Sequence, residues 1–190
     1  MINLVKGQKI DLTKGNAGLH SVLFGLGWDV NKYDGEEQFD LDVSAFLLTN
    51  GKCVKDSNFV FYGNSYDDAK SVVYSGDNRD GAGDGDDETV SVDLNKVPSD
   101  VDRIAFVVSI YDAESRTQNF GMVGNSYIRG INVDDGAELF KYDLEEDFST
   151  ETAIVAGELY RHNGEWKFSA VGSGLNGGLS AVCAGYGLNV

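Results

Sequence analysis

Short segments with apolar side chains at every second position, several of them closed by an Asx-Gly turn, leave this chain few architectures besides a sandwich of β-sheets. From Gln38 to Leu48, Phe39, Leu41, Val43, Ala45 and Leu47 fall on one face, and Asn50-Gly51 follows as a hairpin turn. Phe59-Val60-Phe61-Tyr62 predicts a short aromatic strand, and Thr89 to Leu94 alternates again. Arg103 to Tyr111 is almost continuously apolar, as in a strand covered on both faces. Tyr127 to Val133 and Leu139 to Leu144 flank Asp134-Asp135-Gly136, and Ala153 to Tyr160 and Trp166 to Val171 flank His162-Asn163-Gly164. Helix signals are few. Ser115 to Gly124 predicts a polar loop or a single turn, and Leu175 to Tyr186 a short terminal helix. Pro98 marks a bend before the buried strand. The expectation is an all-β antiparallel sandwich with a few short helices, one of them C-terminal, in a single domain over 1–190.

One segment does not fit a packed strand. Between Asp77 and Glu88 the chain places six acidic residues among glycines, with Arg79 as the one basic residue. Carboxylates that close repel one another, and hard oxygen donors on a glycine-loosened backbone suit Ca²⁺. The segment is not an EF-hand loop. With Asp77 at position one, Glu88 falls at position twelve, but Arg79 and Ala82 occupy positions where an oxygen ligand and a glycine are required. A solvated acidic loop is the plain alternative.

Other acids lie where strands begin or end. Asp40 and Asp42 share a strand face with Ser44, Phe46 and Leu48, so that face turns from acidic to apolar. Either it ends in a solvated rim or the two aspartates hold a cation, since an unpaired buried charge is costly. Asp29 follows Gly25-Leu26-Gly27-Trp28, and Asp112 and Glu114 follow the buried run. Strand ends meet at the rim of a sandwich, where such residues can converge into an oxygen-rich cage better matched to Ca²⁺ than to Mg²⁺. The polar stretch Asp112 to Gly121 reads equally as a capped connection, with Arg116 paired to a carboxylate, or as a site wall.

A net charge of -16 argues against direct nucleic-acid binding or an anionic membrane surface and suits a cation binder, or simply a very soluble protein. Cys53 and Cys183 match no metal or redox spacing, which leaves one disulfide or, as expected in a reducing compartment, two free thiols. The N-terminus lacks the apolar stretch of a signal peptide, and no run is long enough to span a membrane, so the expected location is cytoplasmic. His20 and His162 have no adjacent nucleophile, and no phosphate loop or nucleophile elbow is present, so the expectation is not an enzyme.

Several blocks, in order along nearly the whole chain, resemble the TerD family of tellurium-resistance and stress proteins. They are Gly25 to Asp29, Phe39 to Asp42, Asp56 to Tyr62, Gly76 to Gly81, Gly85 to Glu88, Ile110 to Glu114, Gln118 to Gly121 and Gly157 to Arg161. The resemblance implies a β-sandwich binding Ca²⁺, two ions, through its acidic loop and strand-end aspartates. Carried over by position, the implied ligands are Asp29, Asp40, Asp42, Asp77, Asn78, Asp86, Asp87, Glu88, Asp112 and Glu114. Arg79 departs from the pattern by adding charge where a neutral residue is expected. The implied role is in tellurite and stress resistance. Other stress-response proteins of the same system are the expected partners, and any membrane association would run peripherally through them. The alternative reading is an acidic interaction scaffold with purely structural metal.

Overall fold

The apolar run at 103–110 is continuous because its strand has a core on each side. In the computed structural model, which describes residues 1–31, 37–76, 78–82, 85–145 and 148–189, the segments form two six-stranded sheets. The strands are β1 (Ile2–Leu4), β2 (Lys9–Asp11), β3 (Ser21–Gly27), β4 (Leu41–Leu48), β5 (Phe59–Val60) and β6 (Val72–Ser75). They continue as β7 (Glu88–Asp93), β8 (Arg103–Ile110), β9 (Tyr127–Asn132), β10 (Glu138–Asp143), β11 (Ala153–His162) and β12 (Glu165–Leu175). The helices are α1 (Ala113–Arg116) and α2 (Gly178–Gly185). The first sheet runs β1-β10-β9-β3-β7-β6 and the second β2-β12-β11-β8-β4-β5.

Between the sheets, Phe24 stacks on Phe106 with ring centroids 3.9 Å apart, and Phe140 on Phe168 at 4.2 Å. Phe39, Leu41, Val43, Ala45 and Leu47 enter this core, as their alternation predicts. On the outer face of the second sheet a smaller core gathers Phe46, Leu48, Phe59, Ala105, Val107 and Val155 under Val182 and Cys183 of α2. That second layer buries β8 on both faces and covers the apolar end of β4. Cys53 and Cys183 are free, buried members of the same layer, and burial pushes both thiols up to about 11.

Four features differ from the sequence reading. The aromatic strand is only Phe59–Val60, ending in a bridge between Phe61 and Asn64. Residues 113–116 form one helical turn that starts two residues before the polar loop or single turn expected from Ser115 to Gly124. β1 pairs parallel to β10, so the sandwich is not wholly antiparallel. β3, central in the first sheet, has no period-2 signature on its outer face because Gly25 and Gly27 stand there. Those glycines are seats for other side chains. A Cβ at Gly25 would lie 2.1 Å from the Asp86 carboxylate, and one at Gly27 would lie 2.6 Å from the Tyr127 ring.

Candidate metal centre

Trp28, at the end of β3, gathers the acid-bearing segments at one end of the sandwich. Its backbone N–H donates to Asp87 Oδ2 at 3.0 Å, and its indole N–H donates to the Phe39 carbonyl at 3.0 Å. Gly81 of the acidic loop lies against its ring, where a Cβ would come within 2.6 Å of the indole nitrogen. The next amide, of Asp29, donates to the Gly124 carbonyl at 2.8 Å. Beyond Phe39, the Asp40 carbonyl accepts from the Tyr111 amide at 2.8 Å and so brings in the segment that carries Asp112 and Glu114. Segments 28–29, 39–43, 78–82, 85–88 and 111–118 therefore share one rim.

The last three acids of the loop point three ways. Asp86 folds back onto the outer face of the first sheet over Gly25. There it takes a forked pair from Arg129, Nε to Oδ1 at 2.8 Å and Nη2 to Oδ2 at 3.2 Å, and the Tyr127 hydroxyl donates to Oδ1 at 3.0 Å. Arg129 is balanced on its other side by Glu138 at 3.2 Å. Burial first, and then the Asp86 charge, pushes the Tyr127 phenol up to about 12. Asp87 stays in the plane of the sheet, where Oδ1 accepts from Asn78 Nδ2 at 2.7 Å opposite the Trp28 bond. Burial, and then the charges of Asp86 and Asp80, hold its carboxyl above its ordinary value, against the lowering effect of the Trp28 N–H. Glu88 turns into the sandwich. Its Oε1 accepts from the Tyr74 hydroxyl at 2.7 Å, and its Oε2 from the Val43 amide at 2.6 Å. β5 pairs with β4 only at Ala45 and Phe46, so Glu88 supplies an acceptor along the stretch of β4 that β5 does not cover.

A second acidic group lines a cleft of about 800 Å³ between the rim and the start of α2. Asp42, Asp112, Glu114, Tyr62 and Tyr111 face it. Burial, and then the charges of Asp42, Tyr111, Asp112 and Asp40, raise the Tyr62 phenol. Asp40 and Asp42 are both buried, at 9% and 5% exposure. Asp112 precedes α1 in the left-handed region, at φ 50°. Ser44, buried on the same strand face as Asp42, has a hydroxyl oxygen without a hydrogen-bond partner among the described residues.

Of the ten residues expected as ligands, Asp77 lies outside the described residues. Asp40, Asp42, Asp112 and Glu114 share the cleft region, and Asn78, Asp86 and Asp87 share the loop. Asp29 stands apart and accepts from Asn125 Nδ2 at 2.7 Å. Among the described residues, no three acidic, histidine or cysteine side chains stand close enough together to hold a metal ion. The donors facing this cleft are nevertheless oxygens, carboxylates and tyrosine hydroxyls, a set that fits a hard cation. Arg129 and Tyr74 escaped sequence reading, as did the part that Trp28 plays. The only trace was the Gly25-x-Gly27 pair that makes room for Asp86 and Tyr127.

The sequence model of the TerD domain matches residues 1–186. General stress protein 16U of Bacillus subtilis (strain 168) is 59% identical over 190 residues, covering 100% of this chain and 98% of that protein. Tellurium resistance protein TerD of Serratia marcescens is 54% identical over 189 residues, covering 99% and 98%. Among solved structures, a homologue of telluride resistance protein (TerD) from Streptomyces coelicolor A3(2) superimposes with a TM-score of 0.72 at 22% identity, covering 88% of this chain and 96% of that one. That last likeness is one of fold.

Proposed function

The chain belongs to the TerD domain family, and from that premise we propose that it is a cytoplasmic calcium-binding protein of a tellurite and stress response. The observation that supports this most directly is the gathering of four acid-bearing segments around Trp28 at one rim of the sandwich. Asp40, Asp42, Asp112 and Glu114 would hold one ion, and the acidic loop, with Asp87 and Asn78 among its described residues, a second. Bound calcium supplies the positive charge that lets these carboxylates stay close. It does no redox or covalent chemistry, and the protein is not an enzyme. Asp29, Asp86, Asp87 and Glu88 already serve as acceptors within the fold and are the weaker ligand candidates.

Calorimetric titration of calcium into metal-stripped protein tests the reading. Two equivalents per chain are expected. Absence of heat at millimolar calcium, with a melting temperature insensitive to chelator, would sink it. The competing scaffold reading draws on the half-exposed Tyr62 and Tyr111 beside Asp42 and Asp112, a surface suited to a basic partner. A partner captured from cells and retained after chelation would favour the scaffold, and one lost on chelation a calcium switch.

A further inference from the structure

α2 covers the outer face of the second sheet unevenly. It lies over Phe46, Leu48, Ala105 and Val107, whereas the row in which Asp42 of β4 pairs with Ser109 of β8 opens into the cleft of about 800 Å³ at the start of the helix. Ser109 follows Ala105 and Val107 on one strand face and is 2% exposed, yet its hydroxyl has no hydrogen-bond partner among the described residues. A buried hydroxyl left unmatched is costly, so this one points to a group that enters the cleft.

Two walls of opposite sign stand over that floor. The exposed carboxylates of Asp112 and Glu114 form one, beside Tyr62 and Tyr111. The first turn of α2 forms the other. There the Gly178 amide donates to Thr152 Oγ1 at 3.0 Å and the Ala181 amide to the Gly177 carbonyl at 3.4 Å, but the Leu179 and Ser180 amides have no acceptor among the described residues. Unbonded amides at a helix start form the positive end of its dipole. The aromatic side suits a cation: Arg116 lays its guanidinium 5.3 Å from the Tyr111 ring centre, and Tyr62 stands edge-on to that ring at 6.4 Å.

We infer that the cleft is a binding site for a small amino-acid-like zwitterion, its cationic end against Asp42, Asp112 and Glu114 and its carboxylate on the Leu179 and Ser180 amides and the Ser109 hydroxyl. Neither half of such a ligand suffices. A lone anion would meet the acids, and a lone cation would leave the amides and the hydroxyl unmatched. The inference goes beyond the calcium reading and does not rest on it. A calcium ion on these carboxylates and the cationic end of the ligand are alternatives, so the test uses metal-stripped protein.

The probe is L-arginine, titrated by calorimetry and followed by amide NMR, against agmatine, its decarboxylated form. Agmatine has the greater positive charge, so diffuse attraction to a chain of net charge -16 would favour it. The opposite order is expected, with arginine binding about tenfold more tightly, because only its carboxylate reaches α2. The Leu179 and Ser180 amide signals should shift with arginine and stay in place with agmatine. S109A removes a hydroxyl that lacks a partner, so it should melt no lower than wild type while binding arginine about fivefold more weakly. D112N should weaken binding about tenfold and keep the fold, since asparagine is at home in the left-handed region that Asp112 occupies at φ 50°. No heat at millimolar arginine, agmatine binding as tightly, unmoved α2 amide signals, or wild-type affinity in either variant overturns the inference. Arginine uptake without calcium uptake sinks the calcium reading alone, and calcium uptake without arginine uptake sinks this one alone.

Discussion

Single carboxylates in this protein act through the partners the fold gives them. Glu88 is the plainest case, a buried acid that joins the two sheets by accepting from Tyr74 on one and the Val43 amide on the other. E88A would leave a buried hydroxyl and a buried amide without their acceptor, at about 1–3 kcal/mol each. A loss of about 3 kcal/mol in denaturant unfolding is expected, with the slope unchanged. Tyr127 makes a test by pH. Its folded phenol is raised to about 12 from an ordinary 10.0, first by burial and then by Asp86. The sign follows from linkage: the folded state holds the proton more tightly, so the stabilisation is complete below pH 10 and disappears as pH rises through about 12. Absorbance titration of Y127F should lack one late-titrating phenol, and its stability should fall less between those pH values. An equal alkaline loss in Y127F and wild type would contradict the assignment. The acids themselves stood out in the sequence as a crowd. Their partners did not, because Arg129 and Tyr74 reach them only through strand register and long-range packing.

At the level of elements, β3 carries the lesson about legibility. β4, β7 and β8 were readable because every position that mattered was a side chain in a core. β3 went unread although Val22, Phe24 and Leu26 alternate into the core, and its outer face carries the glycines over which Asp86 and Tyr127 lie. β1, β2 and β6 are too short to show a period. The rim was legible only in outline: strand-end acids could be expected to meet, but the part of Trp28 as their common anchor depends on backbone bonds that no spacing encodes. G25A tests the element directly. The added methyl would collide with the Asp86 carboxylate and drive it from Arg129, so about 2–3 kcal/mol of destabilisation is expected. A calcium affinity weaker than that of the wild type should accompany it. G51A, whose turn position at φ 76° has open space, should strain only the β4 hairpin turn and leave calcium binding intact. Equal calcium loss in both variants would count against a local role for Gly25.

For the whole molecule, the argument is electrostatic. A net charge of -16 on 190 residues disfavours the compact state by self-repulsion, and the rim concentrates part of that charge where burial already raises Asp87. Calcium and salt should both relieve this repulsion, but differently. Calcium bound only by the folded state adds about 2.7 kcal/mol per site at a hundredfold excess over its dissociation constant. In a domain of this size each kcal/mol moves the midpoint by about 2–4 °C, so chelation should lower it by about 5–10 °C per site. Monovalent salt screens the diffuse charge without entering the rim, because the Debye length is already about 8 Å at physiological ionic strength. Raising salt should therefore recover part of the chelator loss in calorimetric melts, and recover less of it once calcium is present. A purely solvated acidic rim would behave otherwise, with salt and calcium interchangeable at matched ionic strength. That equivalence, if found, would mean that the carboxylates around Tyr62 and Trp28 are held together by the sandwich alone.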